Sequence, residues 1–450
     1  MFPPAYIVEG IALSSVFEVP PVNPESNQPR RHVVHVSIPL WVLGVLVFGL
    51  VGLAFVVGLF LPSPIQFGAG GHATLTSPAI KTTSEEVYGR LELSRITLSP
   101  PTEFIQEISA APAPRKWFFP SSIAPLRLFF EKSGLTSQQQ DELWTSHATE
   151  KSHPTDPGDL QTFTPSDEFV LSLSSDVREK IYIRLGEDDR NQEQANIYRY
   201  FGDSIEEWLR PAETSLEVVA LVKSLSFKHG PIWFFADLAL VLPKIADDAE
   251  RSRLIRALSS DETYLVRLHV DEHSDIPAIA NYWGRGGRVN KILPQLESLA
   301  KIAGGEANTI RSFLTPFVQT HLYVYPTPTP RPLEQQRDCH WTSFNFFNDV
   351  PNDGLAANVG NVVSEVRANY DRIYDKFLLG DIILFADKGK TENNVFHSAV
   401  YITKDIVFTK NGRQSSNPWL FMRLDEMKHY YPRSGEVELI YFRRKDIVAN

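Results

Sequence analysis

The segment Val36–Leu61, VSIPLWVLGVLVFGLVGLAFVVGLFL, contains no charged residue and constrains this chain more than any other stretch. A helix needs about 20 apolar residues to cross a hydrocarbon core, and a helix buried in a globular core rarely runs so long without a polar stripe. The segment also starts too late and runs too long for a cleaved signal peptide. Trp41 lies near one end, where an indole ring suits the headgroup level. A single membrane-spanning helix is therefore predicted at 36–61. Arg30 and Arg31 precede it, whereas the first Lys or Arg after it is Lys81. That asymmetry predicts a cell-membrane protein with a cytoplasmic N-terminus and its C-terminal domains outside the cytoplasm.

The rest of the chain divides by texture. Residues 1–35 read as a disordered cytoplasmic tail, and 62–115, mixed in Pro, Ser and Thr, as a spacer with strand-like pieces such as Tyr88–Leu93. Residues 116–325 read as a mainly helical domain. Helical spacing recurs from Leu126 to a stop at Gly134, and at 136–147, 174–185, 204–209, 216–225, 232–245, 247–258, 289–302 and 308–317. A short strand is expected at Thr263–Val270. Residues 326–450 change to an α+β pattern: a Cys-bearing helix, a second helix at 361–377, then strands at 382–385, 396–402, 406–408 and 437–442. A net charge of −10 argues against nucleic acid as a partner. A single cysteine excludes an internal disulfide framework and any multi-cysteine zinc site.

That cysteine sits in the sharpest chemical feature, DCHWTSFNFFND from Asp338. Asp338 can cap a helix whose first turn holds Cys339, where the positive end of the macrodipole favours the thiolate. Trp341, Phe344 and Phe347 recur at helical spacing and would bury one face of that helix. In FHSAVYI, His397, Ala399 and Tyr401 share one face of a strand by the period-two rule. A cysteine on a helix facing a histidine on a strand can form a nucleophile–base pair.

Taken in chain order, Asp338-Cys339, GDIILF (Gly380–Phe385) and HSAVYI (His397–Ile402) resemble the papain-like NlpC/P60 peptidases over roughly the last 120 residues. The resemblance implies a papain-like domain, a Cys-bearing helix packed on an antiparallel sheet, that cleaves amide bonds in cell-wall peptides. Cys339 would be its nucleophile and His397 its base, working through a thioester without any cofactor or metal. The family's third polar residue falls on the following strand, IVFTKNG, at Thr409, with Asn411 as the alternative. His340 and Trp341 stand where Ser and Gly usually follow the cysteine. The N–H of Cys339 and a donor from His340 are the candidate oxyanion groups. Tyr401 and Trp419, the latter in an expected loop SSNPWLF, are candidate cleft residues. The expected partners are a peptide or amide substrate, peptidoglycan among them, and a membrane through 36–61.

Two further readings stay open: an amidase or acyltransferase acting on a lipid or small acyl donor, and a catalytically inactive papain-like binding domain. His269 and His273 are four apart in HVDEH. On the strand expected there, that spacing separates them by about 13 Å, too far for a shared metal. The run Tyr282–Arg288, YWGRGGR, reads as a turn before a helix rather than an anion site. Asp381 reads as tying down its own turn.

Overall fold

The computed structural model describes residues 87–108, 115–150, 159–302, 304–327, 336–357, 359–389 and 395–447. The apolar segment 36–61 lies outside them, as does the N-terminal tail. Among the described residues no helix is long and apolar enough to cross a membrane. The helix expected at 36–61 is outside that search, and the expected fold class needs correction on another ground. Residues 116–325 are mixed α/β, with strands distributed among the helices throughout.

The strands explain the difference. Those before residue 310 are β1 (Arg90–Leu98), β2 (Trp117–Pro120), β3 (Ala148–Glu150), β4 (Leu160–Phe163), β5 (Tyr198–Tyr200), β6 (Phe227–His229), β7 (Ile232–Phe235), β8 (Asp261–Val270) and β9 (Glu306–Thr309). They form three three-stranded sheets, ordered β1-β8-β9, β2-β4-β3 and β5-β7-β6. The expected helix at 232–245 is the clearest correction. Ile232, Trp233, Phe234 and Phe235 are β-branched or aromatic, suit a pleated surface, and pair on both sides as β7 with β5 and β6. Only Leu238–Val241 then turns helical. The expected helix at 308–317 likewise breaks into β9, a short 3-10 turn and the helix Pro316–His321. β1 pairs with β8 over its full length, Arg90 opposite His269 to Leu98 opposite Asp261.

Helices with clean caps match their sequence spacing. Ile123–Ser133 ends at Gly134 in the left-handed region, φ 98°, where glycine pays no steric penalty. Thr136 makes a reciprocal capping box with Gln139 at the start of Ser137–Thr145. Leu216–Leu225 begins at Ser215, whose hydroxyl accepts from Val218 N–H.

The C-terminal sheet holds β10 (Tyr370–Ile373), β11 (Ile382–Asp387), β12 (Val395–Thr403), β13 (Ile406–Lys410), β14 (Trp419–Arg423) and β15 (Val437–Arg444). Their order is β10-β15-β11-β12-β13-β14, and every neighbouring pair is antiparallel. The helix expected at 361–377 stops at Asn369, because Tyr370–Ile373 pairs with β15. Trp419 opens strand β14 instead of lying in a loop, and is opposite Lys410.

The sheet has two apolar faces. Leu384, Val400, Phe408 and Trp419 pack with Trp341 and Phe344 of the Cys-bearing helix. Ile383, Phe385, Ala399, Val407 and Leu420 pack on the other side against Met427 and Tyr430 of the helix Leu424–Tyr430. The first face continues into β8: the Thr263 hydroxyl donates to Phe421 C=O at 2.8 Å and accepts from Phe421 N–H at 3.0 Å. Residues Ser77–Asn450 therefore belong to one compact unit.

Candidate active site

The helix Cys339–Phe344 starts as its sequence predicts. Asp338 is extended, and its carboxylate accepts from Trp341 N–H at 2.9 Å. Trp341 and Phe344 are fully buried and fix the helix on the sheet. Thr342 takes the Trp419 indole N–H at 2.9 Å, and the Ser398 hydroxyl donates to the Ser343 hydroxyl at 3.0 Å. The first N–H groups of an α-helix have no partner within it. Here those groups belong to Cys339 and its neighbour.

The electrostatics of the thiol depart from expectation. Burial, and next the Asp338 carboxylate, push the Cys339 thiol up to about 12, while the main chain and hydroxyl of Ser398 pull the other way. The helix has six residues, and with the negative Asp338 at its head the macrodipole does not win. In this resting arrangement Cys339 is a neutral thiol.

His397 is also wholly buried, and burial, with His340 adding to it, depresses its pKa well below the usual imidazole value. Its Nε2 lies 2.9 Å from Thr409 Oγ1. That hydroxyl has an acceptor of its own, Ser398 C=O at 3.3 Å. With its proton directed there, Thr409 offers a lone pair to the ring, so Nε2 carries the hydrogen and Nδ1 is the basic nitrogen. His397 Nδ1 is buried and has no hydrogen-bond partner among the described residues. Thr409 thus makes the contact expected of an orienting residue. Asn411 does not: its amide donates to Met422 Sδ at 3.2 Å.

Alternation along β12 separates the two reactive groups. Ser398, in phase with Val400, turns to the face of the Cys-bearing helix and meets the thiol. His397, in phase with Ala399, leans to the other face, with ring centroids 5.5 Å from Phe385 and 4.9 Å from Tyr431. Cys339 and His397 are therefore joined through consecutive residues of one strand, and no direct hydrogen bond links them among the described residues. Tyr431 lies between the two, its ring packed at a tilt of 42° on His397 and within electrostatic range of Cys339.

The remaining candidates are scattered. His340 stays beside the cluster, its Nδ1 buried and unpartnered and its pKa lowered chiefly by burial. Tyr401 is four residues along β12 from His397, about 13 Å away at strand rise, with its ring against Phe377. Trp419 packs on Trp341 and His321 in the core, and it lines a small cavity of about 260 Å³ with Arg337 and Arg413.

Four residues escaped the sequence reading. Lys410 is fully buried and donates to Gly412 and Gln414 C=O at 2.7 and 2.9 Å. Burial draws its pKa down to about 7 against the pull of Asp338 and Cys339. Arg413 approaches Asp338 at 3.8 Å. Arg199 of β5 donates to Tyr430 C=O at 2.7 Å and lies over the Tyr431 ring, holding that tyrosine above His397. Alternation beside Thr409 could have flagged Lys410. Arg199 and Tyr431 arrive by tertiary packing that no local pattern encodes.

The decoys are structural. Among the described residues no cluster of His, Cys, Asp and Glu fits a metal, and His269 pairs with Glu92 at 2.9 Å. In YWGRGGR, Gly286 and Gly287 take positive φ, and Arg285 donates to Leu379 C=O and faces Asp381. Asp381 accepts from Leu378 N–H at 2.7 Å and pairs with Arg443, as its turn position predicts. No family model matches the chain, and no curated protein or solved structure does so either.

Proposed function

We propose that the chain is a cysteine hydrolase of amide bonds, with Cys339 as nucleophile, His397 as base and Thr409 as the positioning residue. One observation carries this reading: a buried imidazole whose Nε2 is committed to Thr409 Oγ1 at 2.9 Å while Nδ1 has no partner. Leaving a ring nitrogen buried and unpaired costs about 1–3 kcal/mol, and a proton received there from the thiol would offset it.

In the proposed reaction Cys339 Sγ attacks the substrate carbonyl carbon as Nδ1 of His397 accepts the thiol proton. The N–H groups at the helix start hold the oxyanion. The imidazolium then protonates the leaving amine, giving a thioester that water hydrolyses with His397 again as base. Because the resting pair is neutral and its side chains lean to opposite faces of β12, proton transfer requires that substrate binding turn His397 toward the thiol. Catalytic hydrogen bonds often form only in the substrate complex. The sequence resemblance to NlpC/P60 peptidases suggests cell-wall peptides as substrates, and the charge asymmetry around 36–61 suggests that they are met outside the cytoplasm. Release of free amine from peptidoglycan peptides by the full chain, compared with Cys339→Ala, is the test. The proposal expects turnover in the former and none in the latter, and equal turnover would overturn it.

A second reading is favoured by a specific observation, the thiol held at about 12 with no hydrogen bond to His397. It is a binding domain in which Cys339 packs as a small apolar residue. Saturable binding of the same peptides by both proteins, with no amine released by either, would select it.

A further inference from the structure

Lys410 carries a fully buried ammonium on the face of the sheet where Cys339 lies. Along β13, Ile406 and Phe408 pack with Trp341 and Phe344 of the Cys-bearing helix, whereas Val407 packs on the other side. Alternation therefore turns Lys410 toward that helix. Its Nζ lies 5.9 Å from the centroid of the Trp419 ring, whose indole N–H is donated to Thr342 of the same helix. Two of its three N–H groups go to the carbonyls of Gly412 and Gln414. From the loop they hold, Arg413 approaches Asp338 at 3.8 Å, next to the thiol. Among the described residues no carboxylate comes within 4.0 Å of Lys410 Nζ. The anionic groups in its electrostatic range are Asp338, Cys339 as thiolate and Asp261 of β8.

We propose that Lys410 is the electrostatic partner of the Cys339 thiolate, a positioning residue whose charge stabilises the nucleophile as the thiol proton leaves. From the hydrolase reading this takes only that Cys339 must ionise. A buried ammonium and a buried thiolate are each costly alone, and each offsets part of the other's cost. The thiol proton still goes to His397, and Lys410 keeps its own. Without substrate, thiolate with ammonium holds as many protons as thiol with amine. Its population therefore climbs with pH only until Lys410, drawn down by burial to about 7, has titrated, and is level above that.

The test is the rate at which iodoacetamide alkylates the single cysteine of the full chain, followed across that range of pH. The logarithm of the wild-type rate should climb with unit slope and bend near the Lys410 value. A coupling of about one pH unit would leave the rate at about pH 8 roughly fivefold below the line extrapolated from lower pH. Lys410→Met should climb without the bend. Lys410→Arg, charged at every pH, should also lose the bend and react about tenfold faster than Lys410→Met at about pH 8 by the same coupling. Asp338, Arg413, Tyr431, His340 and His397 around the thiol, and Asp261 with Arg199 beside Lys410, are present in all three proteins. Any bend of theirs is common to all. No bend in the wild type, which needs no variant to fold, or a bend that persists in both variants, would overturn the proposal. No amide substrate takes part, so a bend without release of amine from peptides would support the pairing while removing the hydrolase reading.

Discussion

Two buried polar clusters in this molecule are built on opposite terms. In the first, Arg178, Asp237 and Tyr182 are all nearly inaccessible. Arg178 donates to Asp237 at 3.0 Å and to Val170 C=O at 2.9 Å, while the Tyr182 hydroxyl donates to both Asp237 oxygens at 2.7 and 2.9 Å. Only Arg178 Nε is left over among its polar atoms. In the second, around Cys339 and His397, the imidazole nitrogens His397 Nδ1 and His340 Nδ1 are both unpartnered. No opposite charge pairs with His397 there. The first cluster is a closed ion-pair network that joins the helix Ser175–Gly186 to the start of the helix Leu238–Val241. The second stores unmet hydrogen-bonding capacity beside the only cysteine. The first cluster closes on itself, whereas the second leaves two ring nitrogens beside the thiol without a partner among the described residues.

The comparison breaks most visibly through stability. Asp237→Ala leaves Arg178 as an uncompensated buried charge and should cost about 3–5 kcal/mol. His397→Gln, which removes a group already short of partners, should cost about 1 kcal/mol or less. Urea denaturation of the two variants measures the difference, and similar losses would erase the distinction drawn between the clusters.

A smaller effect sharpens the second cluster. Thr409→Val keeps the shape and removes the acceptor at Nε2, freeing the ring to take the other tautomer. Turnover should fall by about 10–100-fold, the range found when an orienting partner is lost, with the loss in kcat rather than KM. Thr409→Ser should restore most of it.

The smallest effect concerns pH. The folded thiol near 12 lies above an unfolded value of about 8.5. Folding therefore retains the thiol proton, and the sign follows: this group leaves stability unchanged below about pH 8.5 and lowers it as pH rises from there toward 12. Alkylation of Cys339 by a small reagent at pH 8.5 should run at least tenfold slower than that of the urea-unfolded chain. Equal rates would mean that burial does not hold the thiol neutral.

The sequence was legible where local physics decides. Asp338 as a cap, the strands from Ile382, Val395, Ile406 and Val437, and the helix Leu216–Leu225 follow from capping chemistry and periodicity. It was illegible where partners decide. The run Ile232–Phe235 is apolar enough for a helix, and only β5 and β6 on either side make it a strand. Trp419 follows a turn-rich stretch and becomes a strand because Lys410 is opposite. At the site, period-two alternation correctly groups His397 with Ala399. Nothing local reveals that the Cys-bearing helix packs on the other face, or that Arg199, more than a hundred residues upstream, holds Tyr431 over the imidazole. The thiolate expectation failed because a macrodipole argument ignores desolvation, which dominates for a buried thiol.

The most direct test of the central claim is covalent labelling by a peptide-based acyl electrophile that requires base-assisted attack, read by intact mass on wild type, His397→Ala and Thr409→Val. The account predicts one adduct on Cys339 in the wild type, labelling slowed in Thr409→Val, and none in His397→Ala. Equal labelling of all three, or none in the folded wild type, would contradict a Cys339–His397 pair.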